Sequence, residues 1–219
     1  MTSEGQREAA DRLVRAIEAN TEIHDPRILE AFRRVPRDRF VPEELCELAY
    51  EDRALPIGEG QTISQPSMIA LMLSALAPQA TDRALEVGSG SGYAAALLGQ
   101  LSESVEGVEI RPELAERAAH TLAELEIGNV HVRLGNGALG LPAQAPFDII
   151  LVSAGAGSTP AELVEELAPG GRIAIPMGNR AGQHLFLGRR EPNGALHWEK
   201  RTACLFVPLV GNEPSEART

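Results

Sequence analysis

Ala84-Leu85-Glu86-Val87-Gly88-Ser89-Gly90-Ser91-Gly92 is the stretch on which the reading of this chain turns. Four residues with a buried-strand pattern run straight into three glycines spaced Gly-x-Gly-x-Gly, and residues 93–101 then take up helical spacing. Glycine at such a junction lets the backbone turn tightly and lets a ligand approach the main chain. The helix start behind it carries unpaired N–H groups and a partial positive charge, which suit an anion. Glu109 stands at the end of the next strand, Ser104 to Ile110, 21 residues beyond Gly88. An acid at that distance is placed to accept from both hydroxyls of a ribose.

The alternation continues toward the C-terminus. Pro112 opens a helix to about Glu126 with Leu114, Ala118, Leu122 and Leu125 in one stripe, and Val130 to Leu134 alternates as a strand. Phe147 to Val152 is an apolar strand interrupted only by Asp148, residues 161–168 read as a helix, and Pro169-Gly170-Gly171 turns into a strand from Arg172 to Ile175. Strands alternating with helices predict an α/β fold, a doubly wound, mostly parallel sheet covered on both faces. Beyond Gly178 the helical pattern stops. His184 to Leu187, Leu196 to Lys200 and Cys204 to Val210 read as strands that finish the sheet antiparallel, and residues 211–219 as a frayed tail.

Toward the N-terminus, Ala9, Ala10, Leu13, Val14 and Ile17 predict an amphipathic helix. Asp25-Pro26 starts a second, carrying Ile28, Leu29 and Phe32 and stopping near Val35-Pro36, and a short helix is expected at 43–49. Residues 51–66 hold two prolines and two glycines among small and amide-bearing side chains, a loop suited to presenting hydrogen bonds. Ser64 or Gln65 is expected to cap the helix that Pro66 opens.

The glycine spacing bears on the ligand. A dinucleotide loop sets its third glycine one position later, and Glu86, two residues before Gly88, would repel a pyrophosphate while suiting an amino group. S-adenosylmethionine offers an amino group, a carboxylate and a ribose. The spacing therefore favours it over a nicotinamide dinucleotide, with Glu86, Gly88, Ser89, Gly90, Gly92 and Glu109 as the binding set. A glycine turn that binds nothing is the plain alternative. Gly135-Asn136-Gly137 follows the third strand of this alternation and falls over the same crevice; Asn136 and Gly137 read either as an adenine contact or as a simple turn.

Composition narrows the classes. Lys and Arg total 20 and Asp and Glu 31, a formal net charge of −11, which argues against a phosphate-backbone or anionic-membrane partner. Cys46 and Cys204 stand far apart with no ligand spacing, so neither a metal site nor a disulfide framework is expected. No apolar leader or spanning segment is visible, and a cytoplasmic location is the expectation.

Further motifs carry a family resemblance. Ala54-Leu55-Pro56-Ile57-Gly58-Glu59-Gly60-Gln61-Thr62-Ile63-Ser64-Gln65-Pro66 resembles the signature of protein-L-isoaspartate O-methyltransferases. So do Val35-Pro36-Arg37-Asp38-Arg39-Phe40-Val41-Pro42, Leu85 to Tyr93, Pro146-Phe147-Asp148 and Phe206-Val207-Pro208-Leu209-Val210, in order over nearly the whole chain. The resemblance implies a Rossmann-like fold of the S-adenosylmethionine-dependent methyltransferase type with an N-terminal helical cap. The implied reaction methylates the α-carboxylate of L-isoaspartyl residues in damaged proteins and peptides, starting repair through a succinimide. It implies a catalytic role for Ser64, whose position matches the family's active-site serine; Thr62 and Gln65 beside it are expected to help bind the substrate. Departures are Asn136 where the family usually has Asp, Ser67 for a larger residue, Leu205 for a frequent Arg, and the stretch Ser153 to Gly157. An aspartate-type carboxyl with a pKa of ~4 is ionised at neutral pH, so the chemistry asks for no strong general base, and the five scattered histidines need no role.

The whole chain, 1–219, is expected to form a single methyltransferase domain: cap and substrate loop to 80, cofactor-binding core 81–178, C-terminal strands 179–210, and tail. A methyltransferase of this fold acting on another peptide carboxylate, and a cofactor-binding adaptor without turnover, are the alternatives.

Overall fold

Strand β3 (Arg83–Val87) lies third in the seven-stranded sheet, inside its parallel part, and sets its topology. In the computed structural model, which describes residues 3–179 and 182–211, β3 pairs in parallel with both β4 (Ser104–Glu109) and β6 (Phe147–Val152). Strand β5 (Val130–Leu134) extends the sheet beyond β4, and β7 (Leu167–Asn179) extends it beyond β6, both in parallel. Two antiparallel strands, β8 (Gly182–Arg190) and β9 (Leu196–Cys204), complete the order β5-β4-β3-β6-β7-β8-β9. The chain leaves β3 toward β4 and later returns on the opposite side at β6, so a crevice opens at the carboxyl ends of these strands.

Burial explains the apolar runs. Ala84 to Val87 are all buried, as are Ile149 to Val152, because helices cover both faces. Helix α4 (Tyr93–Gly99) is buried along its whole length, which its run of alanines and leucines permits. Helix α5 (Pro112–Glu124) buries Leu114, Ala118 and Leu122 and turns its acids to solvent. Helices α1 (Ser3–Asn20), α2 (Pro26–Arg34) and α3 (Pro66–Leu76) form the cap and share one hydrophobic core with α4. Asp25 caps α2 by accepting from the Arg27 N–H at 2.9 Å.

Several local expectations need correction. Residues 51–66 contain a two-stranded hairpin, β1 (Leu55–Gly58) and β2 (Gln61–Ile63), whose Leu55, Ile57 and Ile63 are buried. Glu59 and both flanking glycines take positive φ at its turn. Neither Ser64 nor Gln65 caps α3 with its side chain. Asp52 does so from 15 residues upstream, accepting from the Ser67 N–H at 2.8 Å and from its hydroxyl. The segment at 43–49 is a 3-10 turn, Glu43–Leu48. Helix α6 spans only Ala161–Glu165, and β7 already begins at Leu167, paired with Phe147. Pro169-Gly170-Gly171 is therefore the irregularity between two register blocks within that strand rather than the turn before it. Cys204 ends β9, and 205–210 is no strand: the Gln183 side chain takes both the Phe206 N–H and its carbonyl, and one bridge joins Pro208 to Gly155. Of the expected tail, residues 212–219 lie outside the described residues.

Candidate active site

The crevice at the strand ends begins with the glycine loop. Gly88, Gly90 and Gly92 all take left-handed φ, at 78°, 53° and 85°. The loop is also close-packed: a Cβ on Gly92 would stand 3.1 Å from the Ala118 methyl, and one on Gly90 3.2 Å from Ile57. The Val108 carbonyl accepts from the N–H groups of Gly88 and Ser89, tying the loop to the end of β4.

Glu109 sits at that same strand end, 5% exposed. One of its carboxylate oxygens accepts from the Gly90 N–H at 2.8 Å and the other from the Arg111 N–H at 2.9 Å. A carboxylate has about four acceptor positions, so two remain for a ligand. Glu109 thus braces the loop and faces an open hollow with Gly88, Gly90, Gly137, Ser153 and the segment Val207–Val210.

Glu86 is fully buried on β3. Its Oε1 accepts from the Ser153 hydroxyl at 2.8 Å, while Oε2 has no partner among the described residues. Burial raises its pKa to about 7, against the opposing pull of the Ser153 donation; the nearby Glu109 charge adds to the rise. The buried Ser89 hydroxyl stands near the same carboxyl and also pulls its pKa down, though it makes no hydrogen bond of good geometry among the described residues. Both residues line a smaller hollow together with Ser64 and Tyr93. A third hollow, lined by Ala54, Ser64, Gln65, Met68 and the segment Ala203–Val207, opens beside it. Thr62 and Ser153 line all three, so they mark where the hollows meet.

The structure brings Thr62, Ser64, Glu86, Gly88, Ser89, Gly90, Glu109 and Gly137 to these connected hollows. Gln65 lines the outer one, and its amide donates to Asp52 at 3.2 Å. Gly92 lies behind the loop against Ala118 and shapes it from there. The Asn136 oxygen accepts from the Ala138 N–H at 3.0 Å, a local cap, and Asn136 does not line the crevice as Gly137 does. Gly137 rests on Val87, where a Cβ would come within 2.6 Å of a methyl.

Sequence reasoning gave no site role to four contributors, although three of them lie in stretches that carry the family resemblance or depart from it. Ser153 follows β6 directly, one position past the last buried strand residue, and that position beside β3 is the signal that could have found it. Asp52 has its pKa lowered: burial pushes it up, but donations from Ser67, Asn20 and Gln65 outweigh that. No local pattern announces it. Arg37 lies wholly buried against the Tyr93 ring and the Ser64 carbonyl, and Val207–Val210 reaches the crevice only because 205–210 leaves the sheet. Among the described residues no group of three or more His, Cys, Asp or Glu could hold a metal ion, and no helix is long and apolar enough to cross a membrane.

The family model of protein-L-isoaspartate(D-aspartate) O-methyltransferase matches residues 8–214. A protein-L-isoaspartate O-methyltransferase of Roseiflexus sp. (strain RS-1) is 52% identical over 189 residues, 86% of each chain. A relative of that name from Syntrophobacter fumaroxidans is 47% identical over 93% of this chain and 94% of its own. Among solved structures, one named protein-L-isoaspartate O-methyltransferase superposes with a TM-score of 0.83 at 28% identity, covering 93% of this chain and 66% of that one. Another, from Plasmodium falciparum and in complex with S-adenosyl-L-homocysteine, has a TM-score of 0.78 at 26% identity, over 90% and 96% of the chains.

Proposed function

The chain belongs to the protein-L-isoaspartate(D-aspartate) O-methyltransferase family, and we propose that its connected hollows bind the methyl donor on one side and an L-isoaspartyl carboxylate on the other. The protein is a carboxyl methyltransferase that uses S-adenosylmethionine and starts repair of isoaspartyl residues in proteins and peptides. The observation that carries the site reading is the unpartnered, buried Oε2 of Glu86 in the same small hollow as Ser64.

The residues present fit the donor. Glu86 Oε2 is an acceptor awaiting a cation and suits the α-amino group, and Glu109 has acceptor capacity left for two ribose hydroxyls. Gly88 and Gly90 clear space for a ligand against the main chain, and Gly137 borders the same hollow. Once bound, S-adenosylmethionine supplies a methyl group already activated by its sulfonium. What the chain adds is alignment and exclusion of water, worth roughly 7–11 kcal/mol in favourable model reactions. Ser64 would donate to the acceptor carboxylate and fix which oxygen attacks, with Thr62 and Gln65 beside it. No residue has to remove a proton, because the acceptor is already an anion. The product ester closes to a succinimide with loss of methanol, and hydrolysis returns part of it to aspartate.

Two free thiols and an acidic chain support a reducing, cytoplasmic setting without a nucleic-acid or membrane partner, and we read the chain as one domain. Methyl incorporation into matched peptides, one carrying L-isoaspartate and the other L-aspartate, is the test. Strong incorporation into the first and little into the second is expected. Equal incorporation into both would overturn the assignment.

A further inference from the structure

Arg37 has no exposure at all, yet it carries a charge. Its guanidinium lies 4.9 Å over the Tyr93 ring. One nitrogen, Nη2, donates to the Ser64 carbonyl at 3.0 Å and to the Arg53 carbonyl at 3.2 Å. The Tyr93 hydroxyl lies beside the guanidinium and favours its charge, while among the described residues Nε and Nη1 meet no acceptor in good hydrogen-bond geometry. A buried cation to which no carboxylate among the described residues is hydrogen-bonded is a poor device for stability, since apolar residues of similar volume often serve as well or better. Its connections serve another end. Arg53 and Ser64 flank the β1–β2 hairpin, and Tyr93 follows Gly92 directly. Arg37 therefore joins both ends of the hairpin segment to the first residue behind the glycine loop.

We propose that Arg37 is a positioning residue that sets Ser64 at a fixed distance from the donor site and thereby enforces the choice of isoaspartyl over aspartyl carboxylates. The proposal rests on the methyl-transfer reading above. The two acceptors have the same atoms and charge; their carboxylates differ by one methylene in distance from the backbone. Discrimination is then a matter of where Ser64 stands relative to the glycine loop, and a small shift of the hairpin suffices to blur it. The cofactor side does not depend on Arg37, because Glu109, Val108 and the strand ends hold the glycine loop independently.

Arg37→Met keeps the volume and removes every donor; Arg37→Lys keeps the charge and one donor nitrogen. For both, kcat and KM are measured on the paired isoaspartyl and aspartyl peptides, with S-adenosyl-L-homocysteine affinity as control. The expected result for Arg37→Met is a ratio of kcat/KM values between the peptides that falls tenfold or more, chiefly through KM for the isoaspartyl peptide. Cofactor affinity should stay within threefold, and Arg37→Lys should recover part of the ratio. A merely structural role would lower the melting temperature or scale both peptides equally, so an unchanged ratio in either folded variant overturns the proposal. Should Arg37→Met fail to fold, Arg37→Lys decides on the same ratio. Failure of the parent reading looks different, since the unaltered enzyme would then show no isoaspartyl preference to lose.

Discussion

Glu86→Gln should separate stability from binding, because the two respond in opposite directions. The Glu86 carboxyl titrates at about 7 in the folded chain, against an ordinary 4.5. Between those values the unfolded chain has released the proton and the folded chain still holds it, so the group costs stability as the pH rises. The penalty is small below pH 4.5 and complete above 7; integrated from pH 5 to pH 8 it comes to roughly 2–3 kcal/mol. Glutamine removes the titration. It can still accept from Ser153, although its own amide inherits the missing partner at Oε2. That fixed cost is the same at every pH, so the informative quantity is the change in the mutant-minus-parent difference. Urea unfolding of the cofactor-free protein at pH 5 and pH 8 should show that difference moving in the mutant's favour by roughly 2–3 kcal/mol. Calorimetry at pH 8 should show the mutant binding S-adenosyl-L-homocysteine about tenfold or more weakly, through the loss of a charge-assisted bond of about 1.5–3 kcal/mol. A constant stability difference would refute the buried titration, and unchanged affinity would remove Glu86 from the amino-group site.

Ser64→Ala should lower turnover on the isoaspartyl peptide by about 10- to 150-fold, the rate equivalent of one hydrogen bond to a charged group. Its melting temperature should not move, because Ser64 caps nothing, and a loss of stability without loss of turnover would reverse the assignment. Glu109→Ala should weaken S-adenosyl-L-homocysteine at least about tenfold and also destabilise the free protein, since Gly90 and Arg111 lose their acceptor. Binding measured by calorimetry that stayed at the parent value would place the ribose elsewhere. Asp52→Ala should cost about 1–3 kcal/mol in urea unfolding, because Ser67 loses a buried acceptor. Asp52 is held below the ordinary carboxyl range, so the stability it contributes is present above that range and lost as the pH falls through its lowered value. The mutant should therefore show a shallower acid limb, and an identical one would deny Asp52 that role.

The half of the chain that was legible is the half governed by local rules. Glu86, Gly88 and Glu109 could be placed in advance because a strand, a glycine turn and a second strand fix their relative positions through hydrogen bonds between neighbouring elements. The N-terminal helices were legible from the stripe of Leu13, Val14 and Ile17 and from the Asp25 cap. The hairpin at 55–63 was hidden because its three buried apolar residues are spread among glycines and polar groups, too few for a period to stand out. Asp52, Arg37 and Ser153 act over 15, 27 and 67 residues of separation, on Ser67, Ser64 and Glu86 respectively. No spacing rule reaches that far. Segment 205–210 was misread for a related reason: its apolar alternation suits a strand, but Gln183 occupies the backbone groups of Phe206 that a sheet partner would need.

This division has a mechanical consequence for the site. The cofactor side stands on the ends of β3, β4 and β6, buried strands whose positions are over-determined by the sheet and by two helix layers. The side bearing Ser64 stands on a two-stranded hairpin, and an isolated hairpin is marginal in water. Its place is set by side chains that reach in from elsewhere: Arg37 on the Ser64 carbonyl, Asp52 on Gln65 and Ser67, and Arg117 on the Ile57 carbonyl. Ile57 itself touches the glycine loop, since a Cβ on Gly90 would meet its terminal methyl at 3.2 Å. Disturbing any of these ties moves the hairpin against a glycine loop that stays where the sheet holds it. Substitutions in the cap, far from the strand ends in sequence, thus act on acceptor recognition before they act on cofactor binding, and the two halves of the site can be tuned separately.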